Sequence, residues 1–353
     1  MSDERTASSQ RFFRWACAAA MAGAALLAYE IYLPHSRARE PHDVRITRGL
    51  GSREIAALLQ KEGVIRSRWA FVVYVSARGI ASSLKPGVYV FSRQAISEIA
   101  VVLIAGGRNE KEITIPEGWT VGEVGKYLET RSVGTAEEWN RLISPARSQA
   151  WIVRFGFLAD KPASAGLEGY LFPDTYRLPE DAAPENAALK MLENFDRKLA
   201  PDIRAEIARR GKTLFEIVTM ASLIEKEVVS DEDRAVVSGI LWKRLDADIP
   251  LQVDSTIVYA KVQLGNEVSK LGGGARKNGK ISLADTNIDS PYNTYKYRGL
   301  PQGPISNPGL SAIRAALYPK ISPYLYYLSA PDGRTIFSRT LDEHNAAKAK
   351  YLR

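Results

Sequence analysis

Cysteine is almost missing from this chain: Cys17 is the single one in 353 residues. An internal disulfide is therefore excluded. One cysteine and three scattered histidines (His35, His42, His344) also argue against a Cys/His metal centre, so no metal and no cofactor is expected. Gly272-Gly273-Gly274 lacks the Gly-Lys-Ser/Thr ending of a phosphate loop. Blocks of lysine and arginine are missing too. The net charge of +8 is spread along the chain, with no RNA-recognition or zinc-finger signature. Such a surface suits anionic lipid or an acidic wall polymer, and nucleic acid is not expected as a partner.

Long apolar runs are scarce as well. The uncharged part of "FFRWACAAAMAGAALLAYEIYLP" (12–34) runs only from Trp15 to Tyr29 and is rich in alanine, where a membrane-crossing helix needs about 20 apolar residues. Arg14 and Glu30 can snorkel at its ends, and Trp15, Tyr29 and Tyr32 sit where interfacial aromatics belong. A cleaved signal peptide and a buried helix are the rival readings, but bulky residues follow where a small-residue cleavage site should stand. The expectation is a transmembrane anchor over 12–34, with a cytoplasmic tail over 1–11 and a polar linker over 35–43. Arg5, Arg11 and Arg14 before it and Arg37 and Arg39 after it leave the orientation open.

A repeat follows. "VRITRGLGSREIAALL" (44–59) and "ITIPEGWTVGEVGKYL" (113–128) align at an offset of 69. Each reads as a short alternating strand, a glycine turn and an amphipathic helix, and 87–106 is a looser copy. Such units pack as sheet-plus-helix modules; the alternatives are a generic α+β scaffold and a glycan-binding LysM-like module over 44–110. The remainder, 111–353, reads as a mixed α+β domain. Helices are expected near 184–200, 201–211, 213–229 and 231–246, within 249–262, over 309–317 and from Leu341. A hairpin turns at Pro331-Asp332-Gly333, and a Gly/Lys-rich loop lies at 271–280.

"LFEIVTMASLIEKEVV" (214–229) is an apolar helix whose last turns carry charge. On a wheel of 100° per residue Leu214, Ile217, Val218, Ala221, Ile224 and Val228 form one stripe. Glu225 falls near its middle and Glu227 at its edge; Lys226 points away. A buried carboxylate is either paired or neutral. Paired, with Arg234 or Arg244, it is structural; neutral, it can act as a general acid.

Five segments, "LEGYLFPDTY" (167–176), "MASLIEKE" (220–227), "LQVDSTIVY" (251–259), "SPYNTYKYRGLPQGPISNPG" (290–309) and "PYLYYLSAPDG" (323–333), stand in the order and at about the spacing of the endolytic murein transglycosylase family (the MltG or YceG-like proteins), which the chain resembles from about residue 44. Ser255 stands where the family pattern has proline, as does Gln302; neither removes a catalytic group. The resemblance implies an inner-membrane, single-pass enzyme with its catalytic domain in the periplasm. Its partners would be peptidoglycan glycan strands and the membrane, with peptidoglycan synthases or division proteins beside it. It makes Glu227 the catalytic acid, with Glu225 the second choice because the wheel alone favours it. The implied reaction cuts the β-1,4 bond between N-acetylmuramic acid and N-acetylglucosamine, leaves a 1,6-anhydro end and terminates nascent strands. A muramidase that uses water and a non-catalytic wall-binding or division scaffold are the alternatives. For holding sugar rings, Tyr170, Phe172, Tyr176, Tyr292, Tyr295 and Tyr297 offer aromatic faces. Gln252, Asp254, Asn293 and Thr294 offer hydrogen bonds, and Glu168 could orient the acid or a sugar. Each has a structural alternative, in the core or capping a turn.

Overall fold

The computed structural model describes residues 3–34, 42–92, 94–107, 110–265 and 281–352. Most of the linker and the 271–280 loop lie outside the described residues. The chain divides into two compact units, Met1–Lys111 and Glu112–Arg353.

The first unit contains α1 (Asp3–Tyr32), β1 (His42–Ile46), α2 (Ser52–Lys61), α3 (Arg68–Ala77), β2 (Gly87–Phe91) and α4 (Ile96–Ala105). The two strands pair antiparallel, Val44 opposite Tyr89 and Ile46 opposite Gly87. Period-two alternation sends Val44 and Ile46 inward against Ile55, Leu59, Phe71, Ile99 and Leu103.

The transmembrane expectation for 12–34 fails here, and with it the single-pass inner-membrane placement. Among the described residues no helix is long and apolar enough to cross a membrane. The helix exists, but its uncharged run of about 15 residues rises only ~22 Å against a hydrocarbon core of ~30 Å, and eight of those residues are alanine. The end of the helix, Glu30 and Tyr32 included, is engaged in this unit instead. Ile31 is buried with Leu27 beside it, Glu30 pairs with Arg66 at 3.7 Å, and Tyr32 meets Tyr74 edge-on at 6.4 Å.

The second unit begins within β3 (Glu110–Thr114), continues through α5 (Val121–Thr130), α6 (Ala136–Ile143) and α7 (Pro145–Ile152), and reaches β4 (Thr175–Pro179), which pairs with β3. Then come α8 (Pro184–Lys198), α9 (Pro201–Arg209), α10 (Leu214–Glu227), α11 (Asp231–Asp246), α12 (Asp254–Gln263) and α13 (Leu310–Leu317). The hairpin β5 (Tyr326–Ser329) and β6 (Thr335–Ser338) and a last helix, α14 (Leu341–Tyr351), complete it. The fold is mixed α+β.

The repeat is real in three dimensions. The offset of 69 superposes Ile55, Ala56 and Leu59, the buried residues of α2, on Val124, Gly125 and Leu128, those of α5. Each helix has a glutamate at its third position, Glu54 or Glu123, that accepts from the N-cap amide. Each is preceded by a glycine at positive φ, Gly49 at 92° and Gly118 at 76°, a turn conformation costly to a residue with a Cβ.

α10 is the centre of the second unit. Thr213 caps it reciprocally with Glu216, and Ile217 to Ile224 are buried without interruption. A helix apolar on every side has to lie inside the fold; the stripe drawn on the wheel is too narrow. α11, α12 and α13 pack around it. Tyr170, Phe172 and Tyr176 also belong to this core, Tyr170 packed with Phe157 and Phe195 and Phe172 with Phe195.

Candidate active site

At the end of α10 three charged side chains diverge. Glu225 is 6% exposed and pairs at 2.7 Å with Arg234 of α11, itself 8% exposed. Its second oxygen accepts the Gly309 amide at 3.0 Å. Burial pushes the Glu225 carboxyl up; Arg234 and that amide pull it back. Lys226 donates to the Gly118 carbonyl at 2.9 Å. Glu227, half-buried, turns toward α12 and β5. Its Oε1 accepts the Ser255 hydroxyl at 3.0 Å and its Oε2 the Tyr327 hydroxyl at 3.4 Å. Its backbone carbonyl accepts from Ser329 at 3.1 Å, which fixes the last turn of the helix.

Asp254 opens α12 beside Ser255, and the Tyr295 hydroxyl donates to it. Burial and Asp254 raise the Tyr295 phenol, with Glu227 adding to the shift. Burial and then Glu227 and Asp254 raise Tyr327 well above the usual range. Both phenols therefore stay protonated donors at neutral pH, and both lie in the field of the same two carboxylates.

The run of turns around Tyr295 is held by saturated polar groups. Asn293 is fully buried. Its amide donates to the Thr286 and Ile288 carbonyls at 2.9 and 2.7 Å, and its oxygen accepts the Tyr295 and Lys296 amides at 2.9 and 3.1 Å. All four of its hydrogen-bonding positions are spent on the protein. Thr294 accepts the Val253 amide at 3.0 Å and lies 3.0 Å from the Thr256 hydroxyl. Gln252, at φ 54°, accepts from Arg244 at 3.0 Å. Arg244 is buried and also donates to the Pro250 and Leu325 carbonyls.

Of the residues singled out in the sequence, Glu227, Gln252, Asp254 and Tyr295 thus gather with Ser255 and Tyr327, while Asn293 and Thr294 lie beneath as scaffold. Tyr170 and Phe172 are core side chains. Tyr292 packs edge-on against Tyr259 at 4.8 Å. Glu168, 8% exposed, sits at the amino end of α5. It accepts the Val121 amide at 3.0 Å, the Tyr259 hydroxyl at 3.2 Å and the Asn307 amide at 3.1 Å. Burial raises its carboxyl to about 8 against those donors. Sequence reasoning missed Tyr327 and Ser329. Their signal was there: two positions apart on a strand, they share a face.

The model of the YceG-like family matches residues 44–350. A protein of Bacillus subtilis strain 168 called endolytic murein transglycosylase is 30% identical over 319 residues, covering 88% of this chain and 84% of that protein. One of the same name from Streptococcus pneumoniae serotype 2 strain D39 is 31% identical over 330 residues, covering 88% of this chain and 58% of that longer protein. The crystal structure of a YceG-like protein from Listeria monocytogenes superposes with a TM-score of 0.59 at 31% identity, over 88% of this chain and all of that one. From its first strand to its last helix, the chain belongs to the YceG-like family.

Proposed function

We propose that this protein is an endolytic murein transglycosylase that cuts the β-1,4 bond between N-acetylmuramic acid and N-acetylglucosamine within glycan strands, with Glu227 as its acid and base. One observation carries the reading. Of the two carboxylates at the end of α10, Glu225 is committed to a buried arginine, whereas Glu227 faces hydroxyl groups at the rim. The relatives' names supply the substrate class.

Protonated Glu227 gives its proton to the glycosidic oxygen as the C1–O4 bond breaks. The substrate's acetamido oxygen stabilises the developing charge at C1. The Glu227 carboxylate then takes the proton of the C6 hydroxyl as O6 bonds to C1. The carboxyl ends as it began, no water is consumed, and the product carries a 1,6-anhydro end that terminates the strand. Gln252, Asp254 and Tyr295 line the same region and are placed to hold the sugars.

Mass spectrometry of digested peptidoglycan tests this. Anhydro ends from the wild type and their loss in Glu227→Gln are expected; wild-type cleavage by Glu227→Gln would refute the assignment. Asp254, which with Glu227 acts on two shared tyrosines, favours a second reading as a two-carboxylate hydrolase, and reducing ends in the same digest would establish it.

The first unit supports a glycan-binding, LysM-like role through its order of strand, two helices and antiparallel strand. Hydrogen exchange on full-length Glu227→Gln should then show protection within 44–107 on adding glycan fragments; unchanged exchange there would dismiss the role.

A further inference from the structure

We infer that Ser255 is a positioning residue for Glu227, holding the carboxyl in place through both of its protonation states. The inference rests on the reading of Glu227 as acid and base. Such a group must be protonated in one step and ionised in the next. A partner that can only donate loses its contact when the carboxyl carries the proton; a hydroxyl can both donate and accept. Ser255 Oγ lies 3.0 Å from Oε1, so it can donate to the carboxylate and accept from the acid without moving. It is placed to do so by the start of α12, whose second residue it is, and that start is pinned by the Val253 amide on Thr294.

Other groups stand near Glu227. Tyr327 on β5 is also a hydroxyl, but it touches Oε2 at the longer 3.4 Å. Asp254 on α12 is committed to the Tyr295 hydroxyl. Arg244 on α11 is hydrogen-bonded to Gln252 and to the Pro250 and Leu325 carbonyls. On α10 itself Glu225 and Lys226 are directed to Arg234 and Gly118.

The test is steady-state cleavage of purified glycan strands by the full chain across pH, for wild type, Ser255→Ala, Ser255→Pro, Ser255→Thr and Glu227→Gln. Proline is tolerated in a first helical turn, where the backbone N–H has no partner in the helix, so alanine and proline are two independent ways of removing the hydroxyl. Both should lower kcat about 5–20-fold with KM within about twofold, as loss of alignment of a general acid–base does. Both should also move the alkaline limb of kcat/KM upward by about 0.5–1 pH unit, because a donor to the charged form has gone. Ser255→Thr should restore the rate and the limb. A merely structural serine would lower the melting temperature and leave the limb where it is. If Glu227→Gln cleaves like wild type, the acid assignment itself falls. If Glu227→Gln is inactive while the alanine and proline variants follow the wild-type profile, the role of Ser255 alone is overturned.

Discussion

Replacing Glu168 by glutamine should stabilise the protein, and only at high pH. The carboxyl is buried, and burial lifts it from 4.5 to about 8. Folded-state Glu168 therefore holds its proton up to pH 8, where an unfolded chain would have lost it near 4.5. The stability this proton confers is complete below pH 4.5 and drains away as the pH rises toward 8. A gap of about 3.5 units at 1.36 kcal/mol each sets a ceiling of about 5 kcal/mol. Glutamine reproduces the neutral acid. Its oxygen can accept the Val121 and Asn307 amides, and its –NH2 can donate to the Tyr259 hydroxyl as a carboxylic proton would. Thermal unfolding of wild type and Glu168→Gln should coincide near pH 5. They should separate by pH 9 by several degrees, since about 1 kcal/mol is worth roughly 2–4 °C in a domain of this size. A difference between the two proteins that stayed constant from pH 5 to 9 would refute the argument, because it would mean that Glu168 titrates like an exposed carboxylate.

Two further substitutions probe the scaffold. Arg234→Met should cost about 3–5 kcal/mol, because it leaves Glu225 buried without its cation; denaturant titration should show the loss at pH 8 and a smaller one at pH 5, where the stranded carboxyl can protonate. Asn293→Ala should cost about 2–4 kcal/mol by leaving two amides and two carbonyls without a side-chain partner. It should also raise KM through the displaced Tyr295, which initial-rate measurements on glycan strands would show.

Much of the fold could be read from the chain because the information was local. Capping glutamates, glycine turns and alternating strands repeat at a fixed offset, and from 184 onward most helices begin at a proline or a capping Ser or Thr. The site was legible only in part because its logic is not local. A helical wheel places Glu225 inward but cannot see Arg234 arriving from the next helix to neutralise it. Glu227 is recognisable as a rim residue, yet Tyr327 reaches it from a strand a hundred residues later. Aromatics at 170 and 172 looked suited to a cleft, and nothing in "LEGYLFPDTY" says that Phe195 packs against both. Asn293 looked like a ligand for sugars because its chemistry suits one; the structure spends that chemistry on its own backbone. At the amino terminus an alanine-rich run imitated a span that its length could not complete.

The twin strand–turn–helix units end in unequal circumstances. A Cβ built on Gly49 would meet nothing within 4 Å, while one on Gly118 would reach Glu225 Cγ at 3.4 Å and Lys226 Cδ at 3.7 Å. Backbone torsion is the one demand on the first glycine, and an asparagine can satisfy it. The second must also fit against the end of α10, whose Lys226 donates to its carbonyl. Two turns with a shared pattern thus answer to different surroundings: open space around the earlier one, and the end of a buried helix beside the later one.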